Sequence, residues 1–186
     1  SYINTVMQSK EIVLTQQKII AGNIRSEYSK IDSDSISKSL RNDFKNTVFD
    51  HSNKFYDINL TYHGQHSWIY NLIQEQVYAY HNINYVNLKN WANIETFNQS
   101  SISRNNLFLE NVHDQPWYTL IYILKAGQNS GELIIKYQKP TQRYFYDFLH
   151  VQEGNFYLFN SNIDYHFSKN LDKTDREYIT WTNLVQ

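Results

Sequence analysis

The sequence predicts a mostly β domain with N-terminal helices, an α+β chain whose C-terminal part is a jelly roll. Residues 85–184 contain eight short runs of β-branched and aromatic residues at a spacing of roughly 8–12 residues, which is typical of a sandwich or barrel. In the residues before 85, the apolar side chains instead recur at intervals close to the period of an α-helix. With 186 residues, the chain is predicted to form a single domain, with a helical support region at 1–84 and a jelly-roll core at 85–186.

Three helices are predicted in the support region. Residues 10–30 carry Ile, Val and Leu side chains near helical period, with Ser9 as the N-cap. Residues 32–47 repeat apolar side chains at i, i+4 and i+8, which predicts a second, shorter helix. Residues 66–81 place their apolar side chains on one stripe and predict the third.

Eight strands are predicted in the core. The run at 117–124, WYTLIYIL, is almost continuously apolar, as expected for a strand that is buried on both faces. Asn, Gly and Asp separate the runs, as turn residues do. The predicted strands are 85–91, 106–112, 117–124, 131–138, 143–151, 155–160, 164–168 and 176–184.

Composition and charge exclude several classes of function. The 17 Lys and Arg residues balance 18 Asp and Glu residues, whereas a nucleic-acid binder normally carries a basic excess. There is no cysteine, which excludes disulfides, cysteine nucleophiles and zinc fingers. The 5 glycines form no dinucleotide or P-loop motif. No apolar run approaches the roughly 18 residues of a membrane span, so we expect no membrane partner and a cytoplasmic location.

Without cysteine, a metal site must use histidine and carboxylate ligands. Two of the 7 histidines, His113 and His166, flank predicted core strands, and a jelly roll could bring both to the same open end of the barrel. Asp114 follows His113, and Arg176 stands ten residues after His166. Two histidines and one carboxylate with open positions form the arrangement that holds non-haem Fe(II). A guanidinium on an adjacent strand is a suitable partner for a dicarboxylate cosubstrate.

The order of these residues resembles that of the Fe(II)/2-oxoglutarate-dependent dioxygenases, in particular the prolyl-hydroxylase-like group with phage and bacterial members. The resemblance covers roughly residues 85–185. It rests on HDQP at 113–116 followed by TLIYIL, GEL at 131–133, GNFYLFNS at 154–161, HFSKN at 166–170 and REYITW at 176–181.

The resemblance implies a double-stranded β-helix (jelly-roll or cupin-like) core and a hydroxylase. Its substrate would be a small molecule or an amino-acid or peptidyl side chain, including prolyl, and its cofactor and cosubstrate would be Fe(II) and 2-oxoglutarate. The metal ligands that it implies are His113, Asp114 and His166. The cosubstrate ligands that it implies are Arg176, for the distal carboxylate, with Thr180 and Tyr122.

Two departures from the family pattern leave alternatives open. Asp114 directly follows His113, where the family has H-x-D, and neighbouring residues of a strand point to opposite faces. The alternatives are a β-bulge, Gln115 as the ligand, water as the third ligand, or a site without metal. The interval from Ser161 to His166 is also about one residue longer than usual. The rival functions are a non-catalytic jelly-roll binding or structural module and a cupin-type metal enzyme that does not use 2-oxoglutarate.

Overall fold

The computed structural model describes residues 7–14, 17–24, 31–44, 54–56, 65–101, 117–138, 141 and 143–186. Within these ranges the N-terminal region contains three strands and both helices, and the remaining strands follow. The elements are β1 (Met7–Leu14), β2 (Gln17–Ile24), α1 (Ser33–Phe44), β3 (Lys54–Tyr56), α2 (Gln65–His81), β4 (Tyr85–Glu95), β5 (Trp117–Lys125), β6 (Glu132–Gln138), β7 (Tyr144–His150), β8 (Asn155–Asn160), β9 (Asp164–Phe167) and β10 (Arg176–Val185).

The strands of the described ranges form two antiparallel sheets. The large sheet has seven strands in the order β1-β2-β8-β5-β10-β4-β3, and the small sheet has three in the order β7-β6-β9. Strand neighbours in space are mostly not neighbours in sequence, as in a jelly roll. The most extensive pairing joins β10 to β4 and β5, so β10 lies in the middle of the large sheet.

Apolar side chains fill the space between the two sheets, which we call the barrel interior. The residues that fill it are Ile19, Ile121, Ile123, Tyr157, Phe159 and Tyr178 from the large sheet and Leu133, Ile135, Tyr165 and Phe167 from the small sheet. The opposite face of the large sheet packs against α1 and α2. Because strand side chains alternate between faces, each residue of the large sheet serves either the barrel interior or the helix layer.

The predicted fold class is confirmed. Seven of the eight predicted core strands are present, with ends that differ by at most a few residues, and the eighth, 106–112, lies outside the described residues. The helices predicted at 32–47 and 66–81 correspond to α1 and α2. Their buried residues Ile36, Leu40, Ile69 and Ile73 pack against the large sheet. Neither described helix has the combination of length and apolar character that crossing a bilayer requires.

The helix predicted at residues 10–30 is wrong, because β1 and β2 form a hairpin there and Ser9 lies within β1 instead of capping a helix. Strand β2 lies between β1 and β8. Ile19 faces the barrel interior and Ile20 faces the helix layer, so both faces are apolar. Gly22 of β2 lies so close to Phe156 that a Cβ atom would stand 2.5 Å from the ring, which favours glycine.

Candidate functional site

A buried ion pair joins the neighbouring strands β4 and β10 inside the barrel. Glu95, at the end of β4, lies directly opposite Arg176, at the start of β10. Both side chains are 0% exposed. The Nε atom of Arg176 donates to Oε1 of Glu95 at 2.8 Å, and its Nη2 lies 2.7 Å from the same oxygen. The two buried charges therefore neutralise each other away from bulk solvent.

Further hydrogen bonds surround this ion pair. The hydroxyl of Tyr178 donates to Oε2 of Glu95 at 3.1 Å. Burial raises the pKa of Tyr178 well above its usual value, so the hydroxyl remains protonated and continues to donate. Arg176 also donates from Nη1 to the backbone oxygen of Ser130 and from Nη2 to that of Gln99, the latter at 3.4 Å. The guanidinium is thus held by one carboxylate and two carbonyls.

The turn before β6 packs directly onto this guanidinium. Gly131 has a φ of +79°, which favours glycine, and a Cβ atom there would lie 2.5 Å from the Ser168 hydroxyl and 3.3 Å from Nη1 of Arg176. On another side, the ring of Phe167 lies 5.0 Å from the Cζ atom of Arg176, which is within the range of a cation–π contact. The GEL motif therefore marks a turn that closes over Arg176.

A small polar cavity lies beside the ion pair in the barrel interior. Its volume of about 10 Å³ has room for one water molecule at most. Asn93 and Thr180 are at least nine-tenths buried, and Oδ1 of Asn93 and Oγ1 of Thr180 have no hydrogen-bond partner among the described residues. Such unpartnered atoms are rare in a protein interior and indicate a place for a polar ligand or a water. The cavity is lined by Trp91, Asn93, Ser101, Tyr165, Tyr178 and Thr180.

Of the three residues expected to bind 2-oxoglutarate, two lie in the barrel interior. Arg176 forms the buried ion pair, and Thr180 lines the cavity next to it. Tyr122 instead belongs to the helix layer, together with Leu120 and Leu124 of the same strand. The placement expected for Tyr122 therefore needs correction, because the alternation of β5 turns its ring away from the barrel interior. The binding roles of Arg176 and Thr180 stay predictions.

The structure does not bring His166 into the barrel interior. Tyr165 and Phe167, its neighbours in β9, are buried between the sheets, so His166 lies on the opposite face, where it pairs across strands with Ile134. The residue of β9 that faces the barrel interior at this point is therefore Tyr165, one residue before the predicted ligand His166. This agrees with the interval after Ser161, which is longer than usual.

The other two predicted metal ligands, His113 and Asp114, lie outside the described residues. Their roles stay predictions. Among the residues that the structure does describe, no three His, Asp or Glu side chains group closely enough to hold a metal ion.

Glu95 is the residue of this site that sequence reasoning missed. The predicted strand ended at 91, whereas β4 continues to Glu95. Along this extension Ala92 and Ile94 face the helix layer, while Asn93 and Glu95 face the barrel interior. The sequence does not reveal a polar residue on the inner face of β4, because the alternation of side chains does not tell which face of the strand points into the barrel interior. The partner of Glu95 follows only from the register between β4 and β10.

A larger, open groove of about 570 Å³ lies between the β1–β2 hairpin and β7. Among the described residues that line it, the one histidine is His150 and there is no carboxylate, so they offer no metal-ligand set. The backbone oxygen of His150 accepts a hydrogen bond of 2.8 Å from the hydroxyl of Tyr157. The groove is lined by Gln8, Ser9, Lys10, Ile12, Ala21, Gly22, Asn23, Phe148, Leu149, His150, Asn155 and Tyr157.

Compared by sequence, the chain matches no protein-family model and no curated protein. Compared by structure, it is similar to a prolyl hydroxylase from Trichoplax adhaerens in complex with a hypoxia inducible factor peptide fragment. The TM-score is 0.58 at 14% identity, with 82% of this chain and 77% of that chain covered.

Two further solved structures have the same fold. A viral collagen prolyl hydroxylase from Paramecium Bursaria Chlorella virus-1, in complex with 2-oxoglutarate, has a TM-score of 0.56 at 11% identity, with 83% of this chain and 89% of that chain covered. A non-haem α-ketoglutarate-dependent carbocyclase of nogalamycin biosynthesis has a TM-score of 0.61 at 6% identity, with 91% of this chain and 80% of that chain covered. The chain therefore has the double-stranded β-helix fold of the 2-oxoglutarate oxygenases, and the resemblance predicted from the sequence is confirmed for the fold.

Proposed function

We propose that this protein is an Fe(II)- and 2-oxoglutarate-dependent dioxygenase that hydroxylates an amino-acid or peptidyl side chain. The observation that carries this proposal is the fold, which the chain shares over 82% to 91% of its length with prolyl hydroxylases and other 2-oxoglutarate oxygenases. A fold alone does not determine an activity, so the barrel interior must be weighed as well.

The barrel interior supports the cosubstrate part of the proposal better than the metal part. Arg176 and Thr180 both face the barrel interior, and a guanidinium and a hydroxyl are suitable donors for a carboxylate. The described residues do not fit an iron ion, because β9 presents Tyr165 to the interior and no group of three ligands forms among them. His113 and Asp114 remain as the proposed ligands.

A peptidyl substrate is proposed on the likeness to a prolyl hydroxylase that was solved with a peptide fragment bound. The carbocyclase has a similar fold and represents the small-molecule alternative. The cytoplasmic location predicted from the sequence stays a prediction.

The alternative function, a non-catalytic jelly-roll binding module, is not favoured by the comparisons, because the similar solved structures are 2-oxoglutarate oxygenases. Two observations in the barrel interior define what this alternative would have to explain. Arg176 is already neutralised by Glu95, and the inward position of β9 carries Tyr165 where a metal ligand is expected. Under this candidate the fold is retained while the metal site has been lost.

An anaerobic titration with Fe(II) and then 2-oxoglutarate separates the two candidates. The proposal predicts a saturable visible charge-transfer band of 2-oxoglutarate chelated to iron, followed by succinate formation in air. We expect H113A to lose the band and the matched control H166A to keep it, because His166 lies on the outer face of β9. Absence of the band at saturating Fe(II) would contradict the dioxygenase. In that event, iron binding without the band would favour a cupin-type metal enzyme, and no iron binding would favour the binding module.

A further inference from the structure

We infer that Glu95 is a built-in carboxylate that occupies an anion-binding site on Arg176, and that an external small carboxylate takes this site when the Glu95 side chain is removed. The inference deepens the proposed function and rests on it only for the identity of the natural ligand. Under that function, the distal carboxylate of 2-oxoglutarate competes with Glu95 for Arg176. Glu95 would then set the affinity for the cosubstrate.

The described donors around Glu95 form a binding site for one carboxylate group. Two N–H groups of Arg176 converge on Oε1, at 2.8 Å from Nε and 2.7 Å from Nη2. The Tyr178 hydroxyl donates to Oε2 at 3.1 Å. Charge-assisted hydrogen bonds of this kind do not depend on which molecule supplies the carboxylate. The same three donors would therefore bind the carboxylate of a free ligand.

The scaffold that positions these donors does not depend on the carboxylate of Glu95. The backbone oxygen of Glu95 accepts a hydrogen bond of 3.1 Å from Nδ2 of Asn170, which also donates to the backbone oxygen of Thr174 at 3.0 Å. The Arg176 guanidinium also donates to the backbone oxygen of Ser130. Loss of the Glu95 side chain therefore leaves the end of β4 and the guanidinium with their other partners.

The space for the ligand is the volume that E95A vacates. Truncation of Glu95 to alanine removes a methylene and its carboxylate, a group that has the size and the charge of an acetate ion. A separate cavity of about 10 Å³, which Tyr178 also lines, has room for one water at most. The ligand that fits the vacated volume is therefore a short carboxylate such as formate or acetate.

Metal-free protein provides the test, because the anion site requires no iron. Thermal unfolding of wild type, E95A and the double variant E95A/R176M is measured with millimolar formate or acetate. Sodium chloride is the control for ionic strength. Acetamide, which has the shape of acetate but no charge, is the control for binding that does not depend on charge. We expect the carboxylates to raise the unfolding temperature of E95A by several degrees, while wild type, the double variant and all acetamide samples do not respond.

Calorimetric titration with acetate gives the affinity. We expect E95A to bind acetate at least about tenfold more tightly than wild type does, since the ligand no longer displaces an internal carboxylate. An E95A response that is no larger than that of wild type, or that persists in E95A/R176M, would overturn the inference.

If E95A does not fold by itself, refolding from urea tests the same point. A yield of folded E95A that rises with acetate and not with chloride supports the anion site, and an equal yield in both salts overturns it. The outcome is independent of the proposed function, because the iron titration uses wild type and this experiment uses no iron. A carboxylate response without iron chelation would establish the anion site on a protein that is not a dioxygenase.

Discussion

The two sides of the start of β10 place opposite charges in very different surroundings. Arg176 points into the barrel interior, where its only carboxylate partner among the described residues is Glu95 and both side chains are 0% exposed. The next residue, Glu177, points into the helix layer, where Ser37 of α1 donates to both of its carboxylate oxygens at 2.7 and 2.9 Å. Arg41 of α1 adds an ion pair at 3.3 Å, and its side chain is 42% exposed.

The contact between Arg176 and Glu95 resembles the binding of a carboxylate ligand, whereas the contacts of Glu177 with α1 hold two elements of the fold together. The inner pair, Arg176 and Glu95, is shielded from solvent, so removal of either partner leaves a buried charge that bulk water does not reach. The outer contact distributes one carboxylate over two donors, one of which water can replace. The inner pair should therefore respond strongly to mutation and to added carboxylate, whereas the outer contact should act as a tie between α1 and β10.

The largest effect is expected from R176M. The substitution leaves Glu95 buried without its cation, and breaking a buried pair in this way costs about 3–5 kcal/mol of unfolding free energy. Urea denaturation of R176M and of the control R41M measures the two contacts on the same strand end. The comparison fails if R176M is destabilised no more than R41M.

An intermediate effect is expected from S37A, which removes the hydroxyl donor from the buried carboxylate of Glu177. A hydrogen bond to a charged group contributes about 1.5–3 kcal/mol, and Arg41 remains to compensate in part. Urea denaturation, with the exposed Ser35 of α1 changed to Ala as the matched control, measures the difference. Equal midpoints for S37A and S35A would contradict the tie between α1 and β10.

The smallest effect is expected from R41M. The guanidinium is partly exposed and also pairs with Asp175 at 2.9 Å, so its loss should cost about 0.2–1 kcal/mol. High salt should reduce this difference further, because exposed pairs are screened. The measurement is urea denaturation at low and high sodium chloride. A loss that is large and independent of salt would show that the outer contact is as sealed as the inner one.

The strands of the core could be predicted because each combines β-branched and aromatic residues with turn residues at both ends. The β1–β2 hairpin could not, since Ile19 and Ile20 are buried on opposite faces of β2 and a continuous apolar run fits a helix equally well. Its true state follows from the pairing of β2 with β8, more than a hundred residues away in sequence.

The candidate site could be predicted only in part for a related reason. Arg176 and Thr180 both face the barrel interior because they follow the alternation of β10, and their binding roles stay predictions. A shift of one residue turns every side chain of a strand to the other face, and His166 directly follows Tyr165, which faces inward. Glu95 could not be paired with Arg176 without the register of β4 on β10.

The most direct test of the central claim, that the barrel interior binds a carboxylate at Arg176 and that Glu95 now fills this place, is a crystal structure of E95A grown with acetate. We predict that the acetate carboxylate lies within hydrogen-bond distance of Nε and Nη2 of Arg176 and of the Tyr178 hydroxyl. A structure in which water alone contacts the guanidinium, or in which the barrel interior closes over the vacated volume, would contradict the claim.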